Sequence, residues 1–214
     1  MAKNIHLSED EQLARVKNWW KSNGTSIVTG VALGLVLIFG YNWWQKHQQN
    51  LALQASVIFS QLLEASEAED IDKLTELSMQ LKNDYGKQDY AAKGLVLAAT
   101  SQIKAGNTEQ AKDNLKWVIE NSKLIDNQLL ANYKLARQLY REAAYDEALA
   151  MVDIEQKAGF ASQYYELIGD IYTKKSDLEK AQQAYLKAIE TMPPSTSGSG
   201  YSEILQLKIN NSAQ

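Results

Sequence analysis

The sequence of 214 residues has no cysteine, two prolines and two histidines, His6 and His47. Without cysteine there is no disulfide, no thiolate nucleophile, no thiolate zinc site and no lipid-modified cysteine of a bacterial lipoprotein. A metallohydrolase or Ser/His hydrolase would depend on one of two imidazoles that both flank an apolar stretch near the N-terminus, so hydrolytic chemistry is not expected. An excess of positive charge is also missing: 22 Lys and Arg stand against 26 Asp and Glu, a net of −4. The even basic coat that follows a phosphate backbone is therefore absent, which argues against nucleic acid as a partner. Acids such as Glu142, Asp146 and Glu147, or Glu67, Glu69 and Asp70, fall at turns and helix starts, where carboxylates are solvated or capping. With no nucleophile, metal cluster or phosphate-cradling loop beside them, no catalytic residue, metal or cofactor is expected.

What is present is a long uncharged run. Between Lys21 and Lys46 lies SNGTSIVTGVALGLVLIFGYNWWQ, 24 residues without a formal charge. As a helix rising about 1.5 Å per residue, roughly 20 such residues cross a ~30 Å hydrocarbon core with every backbone group bonded internally. Trp19 and Trp20 border it on one side, and Trp43 and Trp44 with Tyr41 on the other, as an aromatic belt does. A cleaved signal peptide is disfavoured: the preceding region carries Glu9, Asp10 and Glu11, the apolar run is long, and no small-x-small site follows. The expected organisation is a cytoplasmic segment over 1–21, a transmembrane helix over 22–45 and an external domain over 46–214. Arg15, Lys17 and Lys21 crowd the N-terminal flank, whereas only Lys46 precedes Lys73 on the other, which sets that orientation. Gly30 and Gly34, four apart, share one side of the anchor and are candidates for close packing by another membrane helix, although glycine is also common in such helices without that role.

Beyond the anchor, proline occurs only at Pro193 and Pro194, and strong helix formers dominate. Helices are expected near 48–66, 70–84, 89–104, 108–121, 127–142, 145–156, 162–174, 178–191 and 201–210, joined by short turns into antiparallel pairs. Tyr165, Ile168, Gly169, Tyr172, Ala181, Tyr185, Ala188 and Pro193 stand at offsets 4, 7, 8, 11, 20, 24, 27 and 32 from a common origin. That spacing resembles the tetratricopeptide repeat, in which small residues at offsets 8 and 20 let two helices cross closely. Shifting the origin back by 33 places Leu135, Ala136, Leu139, Ala148 and Val152 on the offsets. A further shift of 37 gives Leu95, Ala98, Ala99, Leu115 and Val118. Upstream, Val57, Ile58, Leu62, Leu74, Leu77 and Leu81 suggest another pair without an alignable motif. The fold class is therefore all-α: a single transmembrane helix followed by a short tetratricopeptide-like solenoid. STSGSG at 195–200 has the composition of a flexible linker, and Ile204, Leu205, Lys208 and Ile209 make 201–210 a capping helix.

The acid-bearing N-terminus, VKNWWKSNG before the anchor, the degenerate repeats and the closing LQLKINN together resemble the YfgM family, ancillary subunits of the bacterial Sec translocon. The resemblance implies a single-span inner-membrane protein facing the periplasm. It also implies association with SecYEG and the anchored chaperone PpiD, and a part in passing unfolded exported polypeptides to periplasmic chaperones. A non-enzymatic adaptor for another envelope machine, in cell division or outer-membrane assembly, is the alternative. In tetratricopeptide proteins the inner face comes from offsets 2, 5, 9, 12 and 13 of the first helix of each pair. Here these are Leu130, Tyr133, Arg137, Tyr140 and Arg141, then Gln163, Glu166, Asp170, Thr173 and Lys174. Tyrosine and arginine suit a grip on peptide backbone and acidic groups; the same residues would also serve as an ordinary solvated face with packed tyrosines.

Overall fold

The computed structural model describes residues 9–152, 159–194 and 200–212, which form nine helices and no strand. They are α1 (Glu9–Glu67), α2 (Ile71–Tyr85), α3 (Asp89–Lys104), α4 (Thr108–Asn121), α5 (Ile125–Arg141), α6 (Tyr145–Ala150), α7 (Ala161–Lys174), α8 (Leu178–Glu190) and α9 (Gly200–Ser212). The chain divides into two compact units, the first ending at Asn50 and the second beginning at Leu51.

In the first unit, the stretch expected to span a membrane lies within α1, the one helix among the described residues long and apolar enough to do so. Only 6% of its most apolar window is buried, so it is not the core helix of a folded domain. Two of its polar side chains bond to the helix's own backbone, as suits an apolar surrounding. Thr29 Oγ1 donates to the Thr25 carbonyl at 2.8 Å, and Asn23 Nδ2 to the Trp19 carbonyl at 2.9 Å. Trp19, Trp20, Trp43 and Trp44 are all exposed.

In the second unit, four turns repeat one backbone device. Left-handed φ occurs at Glu69 (55°), Gly106 (87°), Ala143 (60°) and Ser176 (63°), spaced by 37, 37 and 33 residues. At each, the next amide returns to a carbonyl five residues back: Asp70 to Ala65, Asn107 to Gln102, Ala144 to Leu139 and Asp177 to Tyr172, at 2.8–3.0 Å. The left-handed amides themselves reach the carbonyls of Ser66, Ile103, Tyr140 and Thr173. This double bond pattern closes a helix with its terminal carbonyls satisfied. Only Gly106 takes that conformation without a side-chain penalty, since a Cβ disfavours it by roughly 1–2 kcal/mol. The four pairs are thus residues 51–67 of α1 with α2, α3 with α4, α5 with α6, and α7 with α8.

The crossings obey the small-residue expectation in three pairs. A Cβ on Gly169 would lie 2.4 Å from Tyr185 Cε1, so only glycine admits that ring, and Ala181 is fully buried. Ala136 with Ala148, and Ala99 with Ala111, hold the same two positions and are also fully buried. In the first pair those positions are Leu62 and Leu74, both with no exposure. They join Ala55, Ala65, Leu77, Leu81, Ala91 and Ala98 in one cluster. Burial of each leucine stabilises by about 1.5–3 kcal/mol, so this pair is held by bulk rather than close approach. A second cluster, from Ala92 to Leu135, joins α3, α4 and α5. Between them a buried polar chain ties α2, α3 and α4: Asn114 Nδ2 donates to Gln102 Oε1 at 3.0 Å, and Gln102 Nε2 to Thr75 Oγ1 at 3.2 Å.

Several sequence expectations are corrected. Residues 48–66 do not form a separate helix but continue α1. Val57 is half exposed rather than in the core. Helix 145–156 stops at Ala150, where the Val152 amide tightens back to the Leu149 carbonyl; residues 153–158 lie outside the described residues. Of the linker expected over 195–200, residues 195–199 also lie outside them, and Gly200 already opens α9. On α9, Leu205 and Ile209 are buried against Ala181, Tyr185, Ala188 and Met192, but Ile204 is exposed. Ile204 sits one residue before Leu205, about 100° around the helix, and so turns away from α8.

Candidate protein-binding face

The first helices of successive pairs lie side by side, α5 touching both α3 and α7. Between α3 and α5 is a cleft of about 230 Å³ lined by Thr100, Ile103, Lys104, Leu130, Tyr133, Lys134, Arg137 and Arg141. Leu130, Tyr133, Arg137 and Arg141 are α5 inner-face positions read from the sequence. Thr100, Ile103 and Lys104 occupy the corresponding offsets 9, 12 and 13 of α3. Sequence reasoning missed them, although the origin of that repeat was in register and the same offsets would have found them.

Tyr133 packs edge-on against Tyr164 with ring centroids 5.5 Å apart, and the Arg137 guanidinium lies 5.7 Å from the Tyr133 ring centre. Arg137 and Arg141 are otherwise exposed. Lys134 is half-buried among cations. Burial first, then Arg137, Arg141 and Lys104, pull its pKa below the ordinary value. Desolvation and like charge both disfavour an ammonium at this position. Tyr140 is partly buried beside Tyr145, with ring centroids 5.9 Å apart. Tyr164, fully buried, donates from its hydroxyl to the Leu129 carbonyl at 2.8 Å and ties α7 to α5.

On α7 the face is built differently. Glu166 Oε1 and Asp170 Oδ1 receive Lys208 Nζ of α9 at 2.7 and 2.6 Å. Tyr201 donates to Glu166 at 3.0 Å and Tyr185 to Asp170 at 2.8 Å. Burial opposes the charge of Lys208, but the bonds to Asp170 and Glu166 outweigh it and raise its pKa. Burial likewise pushes the hydroxyls of Tyr185 and Tyr201 upward. The two carboxylates therefore anchor the terminal helix. Gln163 is partly buried, and its Oε1 has no hydrogen-bond partner. Thr173 donates to the Gly169 carbonyl at 2.9 Å, and Lys174 is exposed.

Three of the acids considered for chemistry are committed elsewhere. Asp70 caps α2 by accepting from the Lys73 amide at 3.0 Å. Glu142 accepts from Gln138 and pairs with Lys112 at 3.0 Å, and Asp146 pairs with Lys175. Among the described residues there is no group of three His, Cys, Asp or Glu placed to hold a metal ion. In α1, a Cβ added at Gly30 or Gly34 would meet nothing within 4 Å, so both leave open space on the helix surface.

A run of antiparallel helix pairs with identical turns, small crossing residues and a polar terminal helix defines a short helical-repeat scaffold of the tetratricopeptide type. The tetratricopeptide repeat-like domain family matches residues 17–214, and the chain belongs to it. A relative from Neisseria gonorrhoeae named ancillary SecYEG translocon subunit is 29% identical over 208 residues, covering 96% of this chain and 98% of the relative. Relatives bearing the same name in Escherichia coli and Haemophilus influenzae are 27% and 24% identical, each covered over 98% of its length. No solved structure matches the chain. These names and the repeat fold belong to a scaffold family, and the long apolar helix fits a membrane-anchored protein.

Proposed function

We propose that this protein is a non-enzymatic, membrane-anchored adaptor of the Sec translocon. In this reading α1 holds it in the bacterial inner membrane with the N-terminus cytoplasmic. The repeat unit, in the periplasm, then meets exported polypeptides and the chaperone PpiD. The observation that carries it is the α3–α5 cleft with its tyrosine and arginine lining, on a scaffold whose full-length relatives are named as ancillary SecYEG subunits. The bound segment lies along Tyr133, Arg137, Tyr140 and Arg141, with Gln163, Glu166 and Asp170 at the edge beside α9. Gly30 and Gly34 supply the packing face for a membrane helix of the translocon.

The test is purification of the tagged full chain from membranes in mild detergent. SecY and PpiD are expected among the main partners; recovery of a division or outer-membrane assembly complex instead would refute the translocon reading. Tyr133→Ala with Arg137→Ala is expected to weaken that recovery. Full recovery with this pair, but loss with Gly34→Ile, would move recognition to the anchor. A single cysteine at Ser8 is expected to be shielded from an impermeant thiol reagent in spheroplasts and one at Ser199 to react; both positions lie outside the described residues. A fragment beginning at Gln48 is expected to be soluble and helical, because the repeats bury their own core.

A further inference from the structure

The unusual feature of the α3–α5 cleft is that its cations form no ion pair among the described residues. Residues 51–214 hold 17 Lys and Arg against 23 Asp and Glu, so carboxylates outnumber cations in this part of the chain as a whole. Lys104, Lys134, Arg137 and Arg141 line one cleft. Every ion pair found among the described residues involves other cations: Lys73, Lys112, Lys175, Lys180 and Lys208. Three acids on the neighbouring elements are bonded to other groups, Glu142 to Gln138 and Lys112, and Glu166 and Asp170 to Lys208. Three like charges around a half-buried lysine carry an electrostatic cost that an arriving anion would relieve.

We infer that the α3–α5 cleft is a docking site for an acidic polypeptide segment, one that sets two or more Asp or Glu carboxylates against these cations and an apolar side chain on the floor between them. This deepens the inner-face reading above and rests on it. The floor of Ile103, Leu130 and the Tyr133 ring takes apolar or aromatic groups, while the arginines present planar forks that match carboxylates. A flat anionic bilayer does not enter a cleft between two helices, and an extended phosphate backbone would run from these four cations onto a surface of net negative charge. A short acidic peptide fits within the basic patch.

The test uses the purified full chain in nonionic detergent and a fluorescein-labelled decapeptide alternating Glu or Asp with Leu. Its control has Gln and Asn at the acidic positions. In anisotropy titrations at low salt the acidic peptide is expected to bind at least about tenfold more tightly, with that advantage shrinking as salt screens the charges. Arg137→Gln with Arg141→Gln, at exposed positions whose loss spares the core, is expected to remove most of the preference. Lys116→Gln on exposed α4 surface should not. Equal binding of the two peptides, or an unchanged preference in the arginine pair, would overturn the inference. So would arginine variants that lose affinity for phosphatidylglycerol vesicles while keeping the peptide. Recovery of SecY from membranes is scored separately: if it persists when the peptide result fails, the cleft assignment falls and the adaptor reading stands.

Discussion

Lys134 and Lys208 are both half-buried ammonium groups on the same repeat scaffold, yet their surroundings drive them in opposite directions. Lys134 sits among Lys104, Arg137 and Arg141, and its charged form is disfavoured. Lys208 sits between Glu166 and Asp170, and its charged form is favoured despite its burial. The difference separates two uses of one face. Where α9 arrives, the inner-face carboxylates are consumed in fastening the end of the solenoid. Between α3 and α5 the cations form no ion pair among the described residues, and a surface that spends folding stability in this way is where an external partner has most to offer.

The largest effect is expected from undermining the fastened side at its crossing. Gly169→Leu would drive a side chain into Tyr185, whose ring lies 2.4 Å from the ideal Cβ and whose hydroxyl serves Asp170. Overpacking of this kind costs about 2–3 kcal/mol, and for a domain of this size lowers Tm by roughly 5–10 °C. A thermal melt followed by circular dichroism reads it. An unchanged Tm would mean that α7 and α8 do not approach as described.

Next comes the fastening cation. Lys208→Met leaves Glu166 and Asp170 facing each other across a partly buried site, at a cost of about 1–2 kcal/mol after allowing for solvent screening. The pH dependence has a definite sign. Because the folded-state pKa of Lys208 lies above its ordinary 10.5, its contribution is fully present below pH 10.5 and is lost as pH rises through the higher folded value. Lys134 behaves in the opposite sense. Its penalty is present at neutral pH and lifts as pH approaches 10.5 from below. Denaturant unfolding of the parent and of Lys208→Met should therefore converge at strongly alkaline pH. Parallel curves throughout would show that the α9 contact is apolar alone.

How much of this was legible in the sequence depended on which residue held each key position. Gly169 and Ala181 betrayed their crossing because nothing larger fits, and Ala136, Ala148 and Ala99 followed from the same offsets. The first pair escaped because Leu62 and Leu74 stand where the motif has small residues, so the spacing survives but its chemical signature does not. The regular turns were hidden for a similar reason: Glu69, Ala143 and Ser176 adopt left-handed backbone without being glycine. The offsets named Leu130, Tyr133, Arg137 and Arg141, which line the cleft, while Lys134 beside them and Lys104 on α3 went unrecognised. That Glu166 and Asp170 would be taken by Lys208 could not be read from pattern at all, because the pairing spans about forty residues and depends on where α9 docks.

The smallest expected effect on stability tests the unfastened side. Arg137→Gln with Arg141→Gln removes two charges that make no ion pair among the described residues, so unlike Lys208→Met it breaks no ion pair there. Arg137 does lose its position over the Tyr133 ring, worth about 0.5–1 kcal/mol at an exposed site. Against this, removing two like charges eases the burden on Lys134. The terms oppose, and the net change is expected within about 0.5 kcal/mol of zero, hence a Tm shift of roughly 2 °C or less. Adding Lys134→Met should then raise stability relative to the double variant in the neutral range, because it deletes the disfavoured ammonium while keeping most of its apolar stem. If the double variant instead unfolds as readily as Gly169→Leu, the arginines brace the core and the contrast between the two lysines collapses; a neutral double variant alongside a weakened Lys208→Met would establish that the scaffold holds without the cations of the cleft.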